Sequence, residues 1–286
     1  MARLEGVIPA IPTPLRPNED VDVEALGRVI DYVIGSGASG IFILGNMGEG
    51  AALLDSQKRV AVREAVKAVR GRVPLLAAIS EVSTRRAVES GKAIQELGPD
   101  YLVATTPYYY QFPHPQSILS FFEELGKKLE RPLVFYHAPG ATGNKVGTDV
   151  LDKLMNLPFL AAIKDSSGDF RQVMELLRRY PDRLKRPASI LQGDESVYDV
   201  SLLMGADGVI TGGGTVFLDE LVALHAACRA GETQKAWELQ RDFRRKMDDM
   251  LGPELLVDWM HAIKAKLRDK GLASSTVTHP FLTRRG

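Results

Sequence analysis

The stretch LVFYHAPGATGNKVGTDVLDKLMNLPFLAAIK, residues 133–164, decides the fold, because it holds one complete strand, helix and strand unit. Residues 133–136 form an unbroken apolar run, residues 150–156 carry apolar side chains at helical spacing, and residues 160–164 form a second apolar run that ends on a lysine. Neither run alternates with polar residues, so each predicts a strand buried on both faces, paired in parallel across a helical crossover.

Outward from this unit the alternation repeats along the chain. Apolar runs at 6–11, 40–44, 74–79, 101–104, 189–192 and 208–211 read as further strands. The intervening segments 23–36, 56–70, 84–97, 116–128, 170–180 and 197–204 have helical spacing. Eight such units before about residue 230 predict an α/β fold of the (β/α)8 TIM barrel type. An open doubly wound sheet is the competing architecture, but Pro12, Thr13 and Pro14 stand where a glycine-rich dinucleotide loop would follow the first strand. Asp55 or Ser56, Ser83 with Thr84, and Asp149 mark helix starts able to accept from free amides. Helical patterns at 217–230, 232–250 and 254–270 follow the last strand, and 273–286 carries none. The expected organisation is a barrel over 1–230 and a C-terminal helical extension over 231–286 packed on it.

In a barrel the chemistry sits at the carboxyl ends of the strands and in the loops after them. Those places hold Thr13, Gly45 to Glu49, Ser80 and Glu81, Thr106 to Tyr110, Tyr136 and His137, Lys164 and Asp165, Gly193 to Glu195, and Thr211 to Gly214. Lys164 ends an apolar strand, where low-dielectric walls favour the neutral, nucleophilic amine. An ion pair with the adjacent Asp165 is the competing reading. Tyr136 ends the neighbouring strand and Tyr108, Tyr109 and Tyr110 follow the one before, so phenols can relay protons at an imine or simply fill a barrel rim. Asn46, Met47 and Gly48 lie in a loop whose glycines expose backbone amides to an anion, or merely turn tightly. Gly193 with Asp194 and Glu195 suits substrate hydroxyls or a helix cap, and Thr211 precedes three glycines that resemble a phosphate loop without a cation. His137 reads as a loop or rim histidine. No spacing of His, Cys and carboxylates suggests a metal site.

Composition narrows the class further. The 286 residues are 45% hydrophobic and carry 36 basic against 36 acidic side chains, so a sizeable core is expected and no basic field invites nucleic acid or lipid headgroups. Cys228 is the single cysteine and forms no internal disulfide, in keeping with a reducing compartment. No secretory pattern opens the chain and no apolar run suits a membrane span, so the cytoplasm is the expectation.

Several ordered motifs now carry a resemblance. They are GVIPAIPTP (6–14), Gly45-x-x-Gly48-Glu49, Thr106-Pro107-Tyr108-Tyr109, Tyr136-x-x-Pro139, KDSSGD (164–169) and Gly205-Ala206-Asp207-Gly208. Across nearly its full length the chain resembles the dihydrodipicolinate synthase and N-acetylneuraminate lyase superfamily of Schiff-base barrel enzymes. The resemblance implies that Lys164 forms an imine with a 2-oxo acid and Tyr136 shuttles protons. It also implies that Tyr109 reaches the site of a neighbouring subunit in a dimer paired into a homotetramer, and that neither metal nor organic cofactor is needed.

Two departures bear on the substrate. Asn46 and Met47 stand where the family commonly has two hydroxyl residues, and Met47 offers no side-chain donor, leaving the 2-oxo carboxylate to the amides of Met47 and Gly48. Ala141 stands where the synthase branch has an arginine that clamps the carboxylate of aspartate semialdehyde. A carbon-carbon lyase acting on pyruvate or a 2-keto-3-deoxy sugar-acid-like substrate is therefore the leading expectation. A synthase condensing pyruvate with aspartate semialdehyde, a 2-keto-3-deoxy acid dehydratase and a non-catalytic metabolite-binding barrel are the alternatives.

Overall fold

The computed structural model describes residues 3–251 and 256–281. The expected helix start at Glu254 and the chain beyond residue 281 lie outside them. Eight strands, β1 (Gly6–Pro9), β2 (Ile41–Ile43), β3 (Leu75–Ala78), β4 (Tyr101–Thr105), β5 (Leu133–His137), β6 (Leu160–Asp165), β7 (Ser189–Gln192) and β8 (Gly208–Thr211), form one parallel sheet in the order β1-β8-β7-β6-β5-β4-β3-β2. Every strand residue is buried, as continuous apolar runs require of a sheet covered on both faces. The cylinder is nearly closed between β1 and β2. Ser39 N donates to Val7 O at 2.8 Å, Ile11 N donates to Phe42 O at 3.0 Å, and Ala10 pairs with Phe42 across the seam.

Helices α1 (Val23–Gly35), α2 (Asp55–Val69), α3 (Thr84–Gln95), α4 (Pro115–Lys128), α5 (Pro139–Thr142), α6 (Thr148–Met155), α7 (Phe170–Arg179), α8 (Tyr198–Leu203) and α9 (Leu218–Arg229) fill the crossovers and follow β8. Two more, α10 (Thr233–Leu251) and α11 (Leu256–Asp269), come after them, α10 packing on α8 and α9 and α11 against the short 3-10 turn at Gly213–Val216. The single turn α5 is absent from the expectation because four residues show no period. Among the described residues no helix is long and apolar enough to cross a membrane.

The helix starts correct part of the sequence reading. Ser83 stands at the cap of α3 without a side-chain bond to it; Asp55, one residue inside α2, pairs with Lys58 at 3.1 Å; and Asp149 faces Arg179 at 3.2 Å. Both carboxylates pair with basic side chains, and neither stands at the cap position of its helix. Asp22 and Asp169 cap instead, accepting from Ala25 N at 3.0 Å and Gln172 N at 3.3 Å.

The Gly205 to Gly208 motif serves the lower face of the barrel. Asp207 is fully buried there, bridging Arg3 at 2.7 Å and Arg186 at 2.9 Å while accepting from Ile190 N at 2.8 Å. A buried carboxylate with this many donors ties the first residues to β7 and β8, and at the amino end of the strands it reads as stability rather than chemistry.

Candidate active site

Parallel register brings the chemistry together. Tyr136 on β5 lies directly opposite Lys164 on β6, and His137 opposite Asp165, so alternation sends one pair inward and the other outward. Lys164 is 5% exposed and Tyr136 8% exposed, both lining a cavity of about 360 Å³ at the carboxyl ends of the strands. Lys164 Nζ sits 3.9 Å from the centre of the Tyr136 ring and 5.4 Å from that of Phe42, and Phe42 meets Tyr136 edge to face at 6.2 Å. The amine thus lies beside two aromatic rings at the edge of the cavity.

The competing ion pair between Lys164 and Asp165 does not form. Among the described residues Lys164 has no carboxylate partner, because Asp165 faces the other way. Its Oδ2 lies 2.7 Å from His137 Nδ1, while Oδ1 accepts from Ser167 N at 3.0 Å and Ser167 Oγ at 2.7 Å. His137 is fully buried, which corrects its reading as a rim histidine. Its Nε2 accepts from Val146 N at 3.1 Å, which places the ring proton on Nδ1 for donation to Asp165. These bonds fasten the loop after β5 to the loop after β6, and both loops line the cavity.

The other expected positions separate into those that face the cavity and those that build it. Asn46, Met47, Gly193 and Glu195 line it. Gly48 lies behind the lining, with its carbonyl accepting from Thr13 Oγ1 at 2.6 Å, and a Cβ there would come within 2.7 Å of Leu44 N. Thr211 is fully buried and donates to Glu195 Oε1 at 2.6 Å, and the same oxygen accepts from Gly213 N at 2.8 Å. Burial raises the Glu195 carboxyl from its ordinary value, and the bonds from Thr211 and the glycine amides oppose that shift. The three glycines after β8 thus turn around a carboxylate of the protein's own. Glu81 also points away from the cavity, to Arg86 at 2.8 Å and Lys58 at 3.5 Å.

Met47 and Gly212 are matched in shape. A Cβ on residue 212 would lie 2.5 Å from Met47 Cγ, so the thioether fits only where β8 is followed by glycine. Gly212→Ala is expected to destabilise the fold by about 1–3 kcal/mol through overpacking, and Met47→Ala in the same chain to recover most of that. Urea unfolding of the two single variants and the double variant measures the coupling, and additive losses would disprove the contact.

Tyr109 stands outside the cavity of its own chain. It is 82% exposed, has a left-handed backbone (φ 77°) and meets the exposed Tyr110 ring edge to face at 4.8 Å. Asn144, absent from the sequence reading, pins this loop. Its Nδ2 donates to Pro107 O at 2.9 Å and Tyr110 O at 2.8 Å, and its Oδ1 accepts from Phe112 N at 2.7 Å. Ser166, Ser167 and Trp259 were likewise not singled out, and each lines the cavity. The serines sit inside the KDSSGD motif, so a signal for them existed; Trp259 comes from α11, where a rule based on strand ends cannot see it.

Comparison with known proteins identifies a family and agrees with the fold. The profile of the dihydrodipicolinate synthetase family matches residues 3–285. The chain is 31% identical to a 4-hydroxy-tetrahydrodipicolinate synthase of Caldicellulosiruptor bescii over 84% of this chain and 79% of the relative. It is 26% identical to an N-acetylneuraminate lyase of Salmonella agona over 94% of this chain and 91% of that one. Among solved structures, a dihydrodipicolinate synthase from Acinetobacter baumannii complexed with pyruvate superposes with a TM-score of 0.89 at 25% identity, covering 98% of this chain and 94% of the other. With a buried lysine facing a tyrosine at the mouth of an eight-stranded barrel, and a family match over almost every residue, the chain belongs to the dihydrodipicolinate synthetase family.

Proposed function

We propose that this protein is a class I, pyruvate-type lyase in which Lys164 forms the imine and a neutral hydroxylated aldehyde is the second product or substrate. Family membership and the pyruvate held by the Acinetobacter relative support the imine chemistry. The amine attacks the ketone carbon of the 2-oxo acid, water leaves, and the resulting iminium is an electron sink. In cleavage, the hydroxyl on C4 loses its proton to Tyr136, the C3–C4 bond breaks, and its electron pair moves to the enamine. Protonation of the enamine at C3 and hydrolysis then release pyruvate and restore the amine. Asn46 and the amides of its loop hold the carboxylate of the 2-oxo acid.

The observation that carries the aldehyde assignment is the charge of the lining. Lys164, spent on the imine, is the one basic side chain among the described lining residues, while Asp194, Glu195, Ser166 and Ser167 surround the remaining space. An aldehyde bearing its own carboxylate would meet Asp194 and no free cation, a mismatch that disfavours it. Hydroxyl groups fit these acceptors. The synthase reading draws on the Caldicellulosiruptor relative and is opposed by Ala141, which lines the cavity with a methyl group. Two copies paired so that Tyr109 of one reaches the site of the other belong to the same proposal, supported by the exposure of that ring.

Borohydride reduction in the presence of pyruvate, followed by peptide mapping, tests the imine, with the adduct expected on Lys164. Condensation of pyruvate with glyceraldehyde and with aspartate semialdehyde then tests the aldehyde. Glyceraldehyde is expected to give the higher kcat/KM by at least about tenfold. Equal or greater efficiency with aspartate semialdehyde would overturn the neutral-aldehyde assignment.

A further inference from the structure

Trp259 is the single described lining residue that comes from beyond the eight strand-helix units and the turn after β8. It is half-buried, packs against the core and borders the cavity shared with Ser166, Ser167 and Asp194. The helix that carries it is held firmly. Lys264, also on α11 and fully buried, forms an ion pair with Glu49 and donates to Thr276 O at 2.6 Å. Glu49 belongs to the loop after β2 that presents Asn46 and Met47, and its Oε2 accepts from Thr278 N at 2.6 Å and Thr278 Oγ1 at 2.8 Å. A buried pair of charges is expensive to separate, so it ties α11 to the loop after β2. Trp259 therefore borders the cavity from a helix anchored to the loop that presents Asn46 and Met47.

A hydroxylated carbon chain presents C–H groups on one side and oxygens on the other. Aromatic faces receive the first, and carboxylates and hydroxyls receive the second. The cavity supplies both, the indole from α11 and the acceptors Asp194, Ser166 and Ser167 from the loops after β7 and β6. We infer that Trp259 is a specificity-determining residue that packs against the C–H face of the aldehyde half, selecting neutral hydroxyaldehydes of about four to six carbons over shorter ones. This rests on the imine reading above and adds to it the residue that measures chain length.

The test compares wild type, Trp259→Phe and Trp259→Ala in the condensation of pyruvate with a two-carbon and a five-carbon hydroxyaldehyde. Pyruvate trapping by borohydride reads the imine half separately, and thermal unfolding checks the fold. Trp259→Ala is expected to raise KM for the five-carbon aldehyde by roughly tenfold or more and for the two-carbon one by less than about twofold. Trp259→Phe is expected to retain most of the discrimination, because its ring preserves an aromatic face. An equal rise in KM for both aldehydes, or none, with pyruvate trapping intact, overturns the role of Trp259 alone. If pyruvate leaves no adduct on Lys164 of the wild type, the imine reading falls and this inference with it.

Discussion

Lys164→Ala is expected to abolish the reducible pyruvate adduct and to lower turnover by about four orders of magnitude or more. The size of the loss follows from the role. Without the amine no iminium forms, and the electrons released at C3 have no sink, so nothing else in the cavity can substitute. The fold should survive, because among the described residues the ammonium has no ion-pair partner whose charge would be stranded, and Asp165 is already satisfied by His137 and Ser167. Intact mass after borohydride treatment and steady-state kinetics measure the two effects. Retained turnover without an adduct would remove Schiff-base chemistry from this protein.

Tyr136→Phe is expected to separate binding from turnover. The ring that Lys164 Nζ faces at 3.9 Å is preserved, as is the edge-to-face contact with Phe42, so the cavity keeps its shape. What is lost is one exchangeable proton at the point where carbinolamine, enamine and aldol oxygen each require a transfer. General acid and base groups contribute about 10²- to 10⁴-fold, so kcat should fall by that factor, about 3 to 5 kcal/mol of barrier. Pyruvate should still be trapped, more slowly, and its half-saturation should change little. Wild-type turnover in this variant would exclude the Tyr136 phenol as the proton carrier.

The parts of this site legible in the sequence are those that follow from where strands end. Lys164 closes the run that begins at Leu160, and in a parallel barrel the end of such a run is at the mouth, whatever the loops do. Tyr136 was placed beside it for the same reason, since β5 and β6 are neighbours in a sheet whose order follows the chain. The partner of Asp165 was not legible. Lys164 and His137 are both available to it, and the strand pleat, which sends residues 164 and 165 to opposite faces, decides between them. Trp259 was hidden for a different reason, because a helix that follows the last strand reaches the mouth through tertiary packing, and no period records that. Tyr109 could be recognised by its motif, yet the structure leaves its ring exposed and outside the cavity.

The anchoring of Glu49 by Thr278 spans 229 residues of sequence. A ribosome must therefore release the chain through Thr278 before the segment carrying Asn46 and Met47 can acquire this support. Nascent fragments truncated before Thr276 lack the carbonyl that accepts from Lys264 and the amide and hydroxyl that hold Glu49, so the mouth of the cylinder is left without that support.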